Sequence, residues 1–181
     1  MPKELIPIQE RPEVRLATVA DAVEIARIHR ESAVETYVNE RLGITREDML
    51  KYVGDADEAR LRWENHLRAK DPTAHTAILK IGNRTVGFCR VRRGSNIGHV
   101  EMLYLDPAYS GKGMGGEIFQ EGLQWLGDDQ PIELEVASYN DRAIRFYERF
   151  GFRRQGYARP TQVSGGGRIP LAVMVRDRQE E

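Results

Sequence analysis

The sequence predicts a mixed α/β domain in which helices cover both faces of one sheet. The hydrophobic period alternates between helical and strand-like along the chain, and turn or capping residues separate the segments. The resulting order is β-α-α-α-β-β-β-α-β-α-β-β, and strands interleaved with helices in this way favour a sheet with helices on both sides. A length of 181 residues suits a single domain.

The first predicted strand runs directly into a helix. The segment VRLAT (residues 14–18) predicts a strand, and apolar residues then recur at helical spacing to about Tyr37. Thr18 is a suitable N-cap for this helix, with Asp21 three residues later in its first turn.

The segment Asn39–Pro72 predicts a charged, amphipathic pair of helices. Thr45 is a good N-cap for the first helix, Asp55 opens the second, and Pro72 ends it. The apolar side of the second helix consists of Ala59, Trp63 and Leu67.

From residue 75 onwards the hydrophobic period changes to two. A β-hairpin with Gly82-Asn83 at its turn is followed by a strand that stops at Pro107. A helix is predicted from about Gly113, then a strand, a second helix over DRAIRFYERF, and two closing strands separated by a turn at residues 165–167.

Composition and charge exclude several function classes. The 27 basic and 28 acidic residues nearly cancel, unlike the basic footprint of a nucleic-acid-binding protein. The four histidines are dispersed without metal-ligand spacing, and the single cysteine, Cys89, cannot form an internal disulfide. Residues 1–13 form a leader without the apolar core of a signal peptide, and no run reaches the ~20 apolar residues of a membrane span. We therefore expect a cytoplasmic protein that uses no metal, nucleic acid or membrane.

A cluster of glycines lies between a predicted strand and a predicted helix, in SGKGMGG (residues 110–116). Glycine exposes backbone N–H groups, and the first turn of a helix offers unsatisfied donors, so this segment can bind a phosphate, with Lys112 at its rim. A tight turn alone would also explain the glycines. The Walker pattern fails because Gly113 follows Lys112. The spacing of Gly111, Gly113 and Gly116 fits a dinucleotide-binding pattern, but the preceding βαβ half is missing.

A second motif lies in VASYNDRAIRFYERFGF (residues 136–152). Asn140 follows a strand and can cap the next helix, and the small Ala143 permits close approach of another group. Tyr147 is seven residues beyond Asn140, almost two helical turns, so the two side chains share one face. The apolar side of this helix consists of Phe146, Phe150 and Phe152.

Together these two segments resemble the GCN5-related N-acetyltransferase family, over about Val14 to Val175. The glycine segment is similar to that family's signature [RQ]-x-x-G-x-[GA], with Ser110 in place of the usual Arg or Gln. The second segment matches N-x-x-A-x-x-[FL]-Y-x-x-x-G-F at Asn140, Ala143, Phe146, Tyr147, Gly151 and Phe152. The resemblance implies the fold of that family, a mixed, mostly antiparallel central sheet flanked by helices on both faces.

The resemblance also implies acetyl-CoA as the acetyl donor. Its pyrophosphate would lie on the glycine segment, at Ser110, Gly111, Lys112, Gly113, Met114, Gly115 and Gly116. The residues implied for the pantetheine arm are Leu103, Tyr104 and Leu105, through their backbones, and Asn140, Ala143 and Phe146. A longer side chain at position 110 normally helps to hold the pyrophosphate, so this site depends more on backbone donors and on Lys112.

In the family the amine attacks the thioester directly, and Tyr147 matches the usual general acid for the departing thiolate. For the base, Glu101 shares a strand face with Leu103 and Leu105, where strand alternation would direct it into the substrate cleft. A solvated or ion-paired strand residue is the alternative interpretation of Glu101, and an ordinary buried tyrosine is that of Tyr147. The weaker candidates for the base are Tyr37, Glu40 and Glu135. Cys89 alternates inside an apolar strand and is expected in the core.

Three hypotheses about the function of the protein stay open. The helical insert (residues 39–72) is expected to shape the acceptor side, and its acidic residues favour a cationic amine such as a polyamine, although arginines interleave with them. These acidic residues are Glu40, Glu47, Asp48, Asp55, Asp57, Glu58 and Glu64. The insert is similar to that of spermidine/spermine-type acetyltransferases. The alternatives are acetylation of a protein N-terminus or lysine, and a non-catalytic acetyl-CoA-binding module. Homodimers are common in the family, so a homodimer is one expected assembly.

Overall fold

The structure, a computed structural model, describes residues 11–178 and confirms the predicted order of helices and strands. Residues 1–10 of the predicted leader lie outside this range. The strands are β1 (Pro12–Leu16), β2 (Ala74–Ile81), β3 (Arg84–Arg93), β4 (Gly98–Leu105), β5 (Ile132–Ala137), β6 (Arg153–Gln162) and β7 (Arg168–Arg176). The α-helices are α1 (Ala22–Tyr37), α2 (Arg46–Val53), α3 (Ala56–Arg68), α4 (Gly115–Leu126) and α5 (Asp141–Glu148). Within the described residues no helix is both long and apolar enough to cross a membrane.

The seven strands form one sheet in the order β1-β2-β3-β4-β5-β7-β6. Only the β4–β5 pair is parallel, and every other neighbouring pair is antiparallel. This arrangement confirms the predicted mixed, mostly antiparallel sheet. The parallel pairing is short, because residues 98–100 of β4 pair with residues 132–134 of β5 and the strands then separate.

Helices pack on both faces of the sheet, as predicted. Adjacent strand residues alternate between the faces, so Leu79 joins the apolar cluster that contains Ile118 of α4, and Ile78 joins the cluster that contains Ile25 of α1 and Trp63 of α3. We call these two sides the α4 face and the α1 face. Each buried aliphatic or aromatic side chain of this kind contributes about 1.5–3 kcal/mol of transfer free energy.

Side-chain caps fix the starts of the helices in the insert. Thr45 Oγ1 accepts a hydrogen bond from the backbone N–H of Asp48 at 3.1 Å, and Asp55 Oδ1 accepts one from Glu58 N–H at 2.9 Å. Both caps were expected from the sequence, and each such cap stabilises its helix by about 1 kcal/mol. The cap expected at Thr18 opens a short 3-10 turn (residues 19–21) instead, and α1 begins after this turn.

Helix α4 begins at Gly115 rather than at the predicted Gly113. Gly111 and Gly113 have φ angles of +82° and +84°, which lie in the left-handed region that glycine adopts readily. A residue in that region cannot continue a right-handed α-helix. The glycines therefore form a turn that precedes the helix.

Candidate active site

The candidate site lies where β4 and β5 separate. A large cavity of about 800 Å³ runs from this fork along the glycine segment and α5. A small cavity of about 100 Å³ lies between the separating strands. Both cavities are lined by Thr36, Leu103, Tyr104, Asn140, Ala143 and Tyr147.

The glycine segment forms one wall of the large cavity. The lining residues of this segment are Ser110, Gly111, Gly113 and Gly115. Of the other predicted positions, Lys112 places its Nζ atom 5.4 Å from the centre of the Tyr109 ring, and Met114 packs against the core on the α4 face. Gly115 is closely packed, since a Cβ atom there would lie 3.3 Å from Leu105 Cδ1.

Asp106 fixes the point at which β4 turns into the glycine segment. Its carboxylate accepts hydrogen bonds from the backbone N–H of Ala108 (3.0 Å), from Arg27 (3.1 Å) and from Arg84 (3.0 Å). Burial opposes ionisation of Asp106, but these donors outweigh burial and lower the pKa of the carboxyl group. The turn is thereby connected to α1 and β3.

The backbone of β4 presents polar groups to the fork. Asp106 N–H donates to the Val86 carbonyl of β3 at 2.8 Å. In an antiparallel pair, every second residue directs its backbone N–H and C=O groups to the same neighbouring strand. The backbone groups of Tyr104 therefore also point towards β3. The backbones of Leu103 and Leu105 face the fork. The hydroxyl of Ser32 on α1 already donates to the Leu105 carbonyl at 2.7 Å.

Asn140 is the N-cap of α5, as the sequence predicts. Its Oδ1 atom accepts a hydrogen bond from Ala143 N–H at 3.1 Å, so the amide group is held at the wall that separates the two cavities. Ala143 lines both cavities, and Phe146 lines the large one.

Tyr147 is placed at the junction of the two cavities. Its ring lies 5.4 Å from the Phe119 ring and 5.3 Å from the Phe146 ring, centre to centre. Burial raises the pKa of the Tyr147 phenol above its usual value of about 10. The phenol therefore carries its proton at neutral pH and can donate it.

Three further tyrosines line the cavities, Tyr37 the small one, Tyr139 the large one and Tyr104 both. Tyr37 Oη and Tyr104 Oη lie 3.0 Å apart, and Tyr139 Oη donates to the Tyr37 carbonyl at 3.1 Å. Burial raises the pKa of Tyr37 and of Tyr104, and raises that of Tyr139 to about 12. Tyr37 is therefore a neutral phenol in a hydrogen-bonded pair. The side chains of Tyr104 and Tyr139 were not predicted as part of the site, because no motif or spacing marks them.

The regular alternation expected along β4 is interrupted at Glu101. The β3–β4 register shifts between Arg90, which pairs with Met102, and Val91, which pairs with Val100, so Glu101 is the extra residue of a β-bulge. A bulge interrupts the alternation on which the prediction depended.

The bulge places the Glu101 carboxylate between two arginines. Arg90 Nε donates to it at 2.8 Å and Arg92 Nε at 2.6 Å. Arg90 is buried, with 7% of its side chain exposed, and it also donates to Thr76 Oγ1 at 2.8 Å. Glu101 lines the small cavity, but both of its oxygen atoms already accept hydrogen bonds from guanidinium groups.

The other predicted acidic candidates divide into two groups. Glu135 lines the small cavity and is exposed to solvent. Within residues 11–178 it forms no ion pair at salt-bridge distance. Glu40 lies in a 3-10 turn and lines neither cavity. The acidic residues of the insert pair locally, for example Glu47 with Lys51 at 2.8 Å, and neither cavity is lined by a residue of 39–72.

Sequence reasoning missed a row of arginines on α5. The large cavity is lined by Arg142, Arg145 and Arg149, which follow one another at intervals of three and four residues and so share a helix face. Their spacing was visible in DRAIRFYERF, but only the Asn, Ala, Phe and Tyr positions of that segment belong to the matched pattern.

Several curated relatives of this chain are named acetyltransferases. A mycothiol acetyltransferase from Kineococcus radiotolerans is 32% identical over 114 residues, which are 59% of this chain and 37% of that protein. The N-alpha-acetyltransferase RimI of Mycobacterium tuberculosis is 30% identical over 49% of this chain and 58% of its own length. A spermine/spermidine N(1)-acetyltransferase from Bacillus subtilis is 33% identical over 32% of this chain and 40% of its own length. The alignments thus span less than two thirds of each relative.

Solved structures share the fold. The PaiA N-acetyltransferase from Thermoplasma acidophilum, solved with coenzyme A, superposes with a TM-score of 0.73 at 19% identity, over 92% of this chain and 99% of that one. YncA from Salmonella typhimurium, solved with acetyl-CoA, gives a TM-score of 0.68 at 19% identity, over 94% and 96%. Residues 36–152, more than half of the chain, match the Acetyltransferase (GNAT) family. The chain belongs to this family of acetyltransferases.

Proposed function

We propose that the protein transfers the acetyl group of acetyl-CoA to a primary amine by direct attack. The observation that carries the proposal is the position of Tyr147, which lines both cavities and holds a protonated phenol at their junction. One cavity follows the glycine segment, and the other is small and is lined in part by Thr36 and Tyr37 of α1. A donor and an acceptor would meet beside Tyr147.

The residues of the large cavity suit acetyl-CoA. The left-handed turns at Gly111 and Gly113 and the start of α4 present backbone N–H groups that favour the pyrophosphate. The backbone groups that Leu103 and Leu105 direct to the fork suit the amides of the pantetheine arm, which would extend the sheet there; the Leu105 carbonyl also accepts a hydrogen bond from Ser32. Asn140, Ala143 and Phe146 supply the opposite wall, and the thioester would then lie near Tyr147.

The proposed reaction needs three proton transfers. The amine nitrogen forms a bond to the thioester carbonyl carbon, the carbon–sulfur bond breaks, and Tyr147 Oη gives its proton to the departing thiolate. The proton that the ammonium loses before attack passes to a base, and the proton that the new amide nitrogen releases restores the phenol, directly or through solvent. No covalent enzyme intermediate is required.

We propose Glu135 as the base, acting directly or through a water molecule. Both carboxylates that line the small cavity, Glu101 and Glu135, were candidates from the sequence. The Glu101 carboxylate is already bonded by two guanidinium groups, so an incoming proton would compete with both. Glu135 has no such partner among the described residues, and a carboxylate without a cationic partner attracts the ammonium group of an amine.

The proposed acceptor is a small primary amine or a polyamine. A cavity of about 100 Å³ with two carboxylates in its wall suits a compact cationic group, and one relative is named for spermine and spermidine. The relationship to RimI favours a protein N-terminus as the second candidate. A role of the insert 39–72 on the acceptor side stays a prediction.

A thiol-release assay tests the proposal and ranks the acceptors. The protein is incubated with acetyl-CoA and, separately, with polyamines, amino acids, aminoglycosides and peptides. Release that depends on a small amine supports the proposal, and release only with peptides favours the second candidate. Binding of acetyl-CoA without thiol release on any amine would support a non-catalytic acetyl-CoA-binding module instead.

A further inference from the structure

The glycine segment lacks a long polar side chain at position 110, but α5 supplies one at the same place. Arg142 Nη2 donates a hydrogen bond to Ser110 Oγ at 2.7 Å. The same nitrogen would lie 3.1 Å from a Cβ atom built on Gly111. The guanidinium group therefore lies directly against the first left-handed glycine of the segment.

The charge of Arg142 is not neutralised within the described part of the chain. The side chain lines the large cavity, and no described carboxylate lies within salt-bridge distance of it. Near the same turn, Arg27 and Arg84 are both paired with Asp106. A guanidinium group has five N–H donors, so the hydrogen bond to Ser110 leaves several of them available to an anion in the cavity.

Other cations are less well placed for the glycine segment. Lys112 lies over the Tyr109 ring and does not line the cavity. Arg145 and Arg149 lie three and seven residues further along α5, which corresponds to about 4.5 Å and 10.5 Å along the helix axis. Arg142 is the arginine of this row that contacts the segment itself.

We propose that Arg142 binds the pyrophosphate of acetyl-CoA and replaces the Arg or Gln that is missing at position 110, with Ser110 Oγ accepting only one of its hydrogen bonds. The inference depends on the proposed function, since it assumes that acetyl-CoA occupies the large cavity. Guanidinium binds phosphate oxygens through two parallel hydrogen bonds, and charge-assisted bonds of this kind are about twice as strong as neutral ones. Ser110 suits this arrangement because its short side chain leaves room for the arginine.

Calorimetric titration of Arg142→Ala with CoA and with 3′-dephospho-CoA tests the assignment without using turnover. A lost charge-assisted contact at a partly exposed site should raise both dissociation constants by roughly tenfold. The ratio of the two constants should stay unchanged, because both ligands carry the pyrophosphate. A change below twofold, or a change confined to CoA, would overturn the assignment to the pyrophosphate.

Two further variants distinguish a direct contact of Arg142 with the ligand from an effect of Arg142 on the conformation of the glycine segment. Ser110→Arg in the Arg142→Ala background restores the residue type usual in the family and should recover most of the lost affinity. Ser110→Ala alone should change affinity by less than about threefold, because the guanidinium group keeps its place beside Gly111. A loss as large as that of Arg142→Ala would show that the Ser110–Arg142 bond acts only on the loop, and the proposal would fail.

The control is Arg159→Ala, an exposed arginine on β6, which should bind both ligands like the wild type. Melting temperatures of all variants should match that of the wild type. If the wild-type protein binds neither ligand, the proposed function itself fails; if it binds both and Arg142→Ala binds equally well, only the role of Arg142 fails.

Discussion

The two ends of the site are built in different ways. The large cavity depends on two continuous segments, the glycine turn and the start of α5, whose contribution is mostly backbone geometry. The small cavity is assembled from α1, β4, β5 and α5, and its character depends on individual side chains. Backbone requirements leave a pattern of Gly and Asn in the sequence, whereas a set of side chains gathered from distant elements leaves none.

The two cavities also differ in the charges of the side chains that line them. Along the large cavity the α5 arginines, Arg142 among them, have no carboxylate partner in the described residues, so the cavity suits a phosphorylated ligand. At the small cavity Arg90 and Arg92 are paired with Glu101, which leaves Glu135 as the unpaired charge. The arginines beside the large cavity therefore favour an anion near α5, and the unpaired Glu135 favours a cation at the small cavity.

Replacement of Tyr147 by Phe should have the largest effect, since it acts where the two ends meet. Loss of a general acid should lower kcat by roughly 10²–10⁴-fold, while the dissociation constant for acetyl-CoA changes little. Steady-state rates with the best acceptor and calorimetric titration measure the two quantities. Tyr157→Phe, at an exposed tyrosine on β6, is the matched control. Equal rates for Tyr147→Phe and wild type would remove the assigned acid.

The next comparison is between the two carboxylates of the small cavity. Glu135→Gln should lower kcat/KM by roughly tenfold to 10²-fold, because it removes the free base. Glu101→Gln should affect turnover less but should lower the free energy of unfolding by about 1–2 kcal/mol, since buried Arg90 loses its charged partner. Turnover of each variant and urea unfolding separate the effects. If Glu101→Gln loses more activity and no stability, the two roles are reversed.

A glycine substitution tests the backbone character of the large cavity. Gly113→Ala meets nothing within 4 Å of the new Cβ atom, so its cost is the left-handed φ angle, about 1–2 kcal/mol. Acetyl-CoA affinity should fall by roughly fivefold to tenfold. Gly166→Ala has the same kind of strain, with φ +91° and an open Cβ position, and should lose stability while keeping its affinity. Equal affinity for the two variants would argue against a backbone cradle at Gly113.

The last expected effect is a pH dependence of the free energy of unfolding, which arises on the α1 face. His29 lies 5.2 Å from the Tyr104 ring, and burial, followed by the charge of Arg62, lowers its pKa to about 4. In the unfolded chain His29 binds a proton below about pH 6.5, whereas in the folded chain it binds one only below about pH 4. The free energy of unfolding therefore falls as the pH falls through this window. Near pH 5 the loss is about 2 kcal/mol.

Urea unfolding of His29→Phe at pH 5 and pH 7.5 measures this contribution. The difference in unfolding free energy between the two pH values should shrink in the variant, because the titrating group is gone. His99→Phe, at a histidine on β4 whose side chain is 39% exposed, should keep the wild-type difference. An unchanged difference in His29→Phe would place the acid sensitivity elsewhere.

The sequence predicts the fold further than it predicts the site. The order of the elements, the Gly82-Asn83 hairpin and the caps at Thr45 and Asp55 follow from local rules that need no tertiary information. The orientation of Glu101 does not, because a bulge is created by the pairing of β3 with β4. The contact between Arg142 and Ser110 spans 32 residues, and no local pattern indicates it.

The insert shows the same limit. Its acidic residues are visible in the sequence, but whether they are available to a ligand depends on their neighbours. Lys51 pairs with Glu47, and Asp48 and Asp55 serve as capping residues. Local pairing of this kind leaves little charge free to attract an amine, whereas Glu135, one residue of a strand, remains free.

Transfer of an isotopically labelled acetyl group tests the central claim most directly. The protein is incubated with labelled acetyl-CoA and the acceptor that releases most thiol, and the released CoA and the labelled product are both quantified by mass spectrometry. We predict one labelled amide on the acceptor nitrogen for each CoA released. Thiol release without labelled amide, or acetyl-CoA binding with neither product on any amine, would contradict the claim that this protein is an N-acetyltransferase.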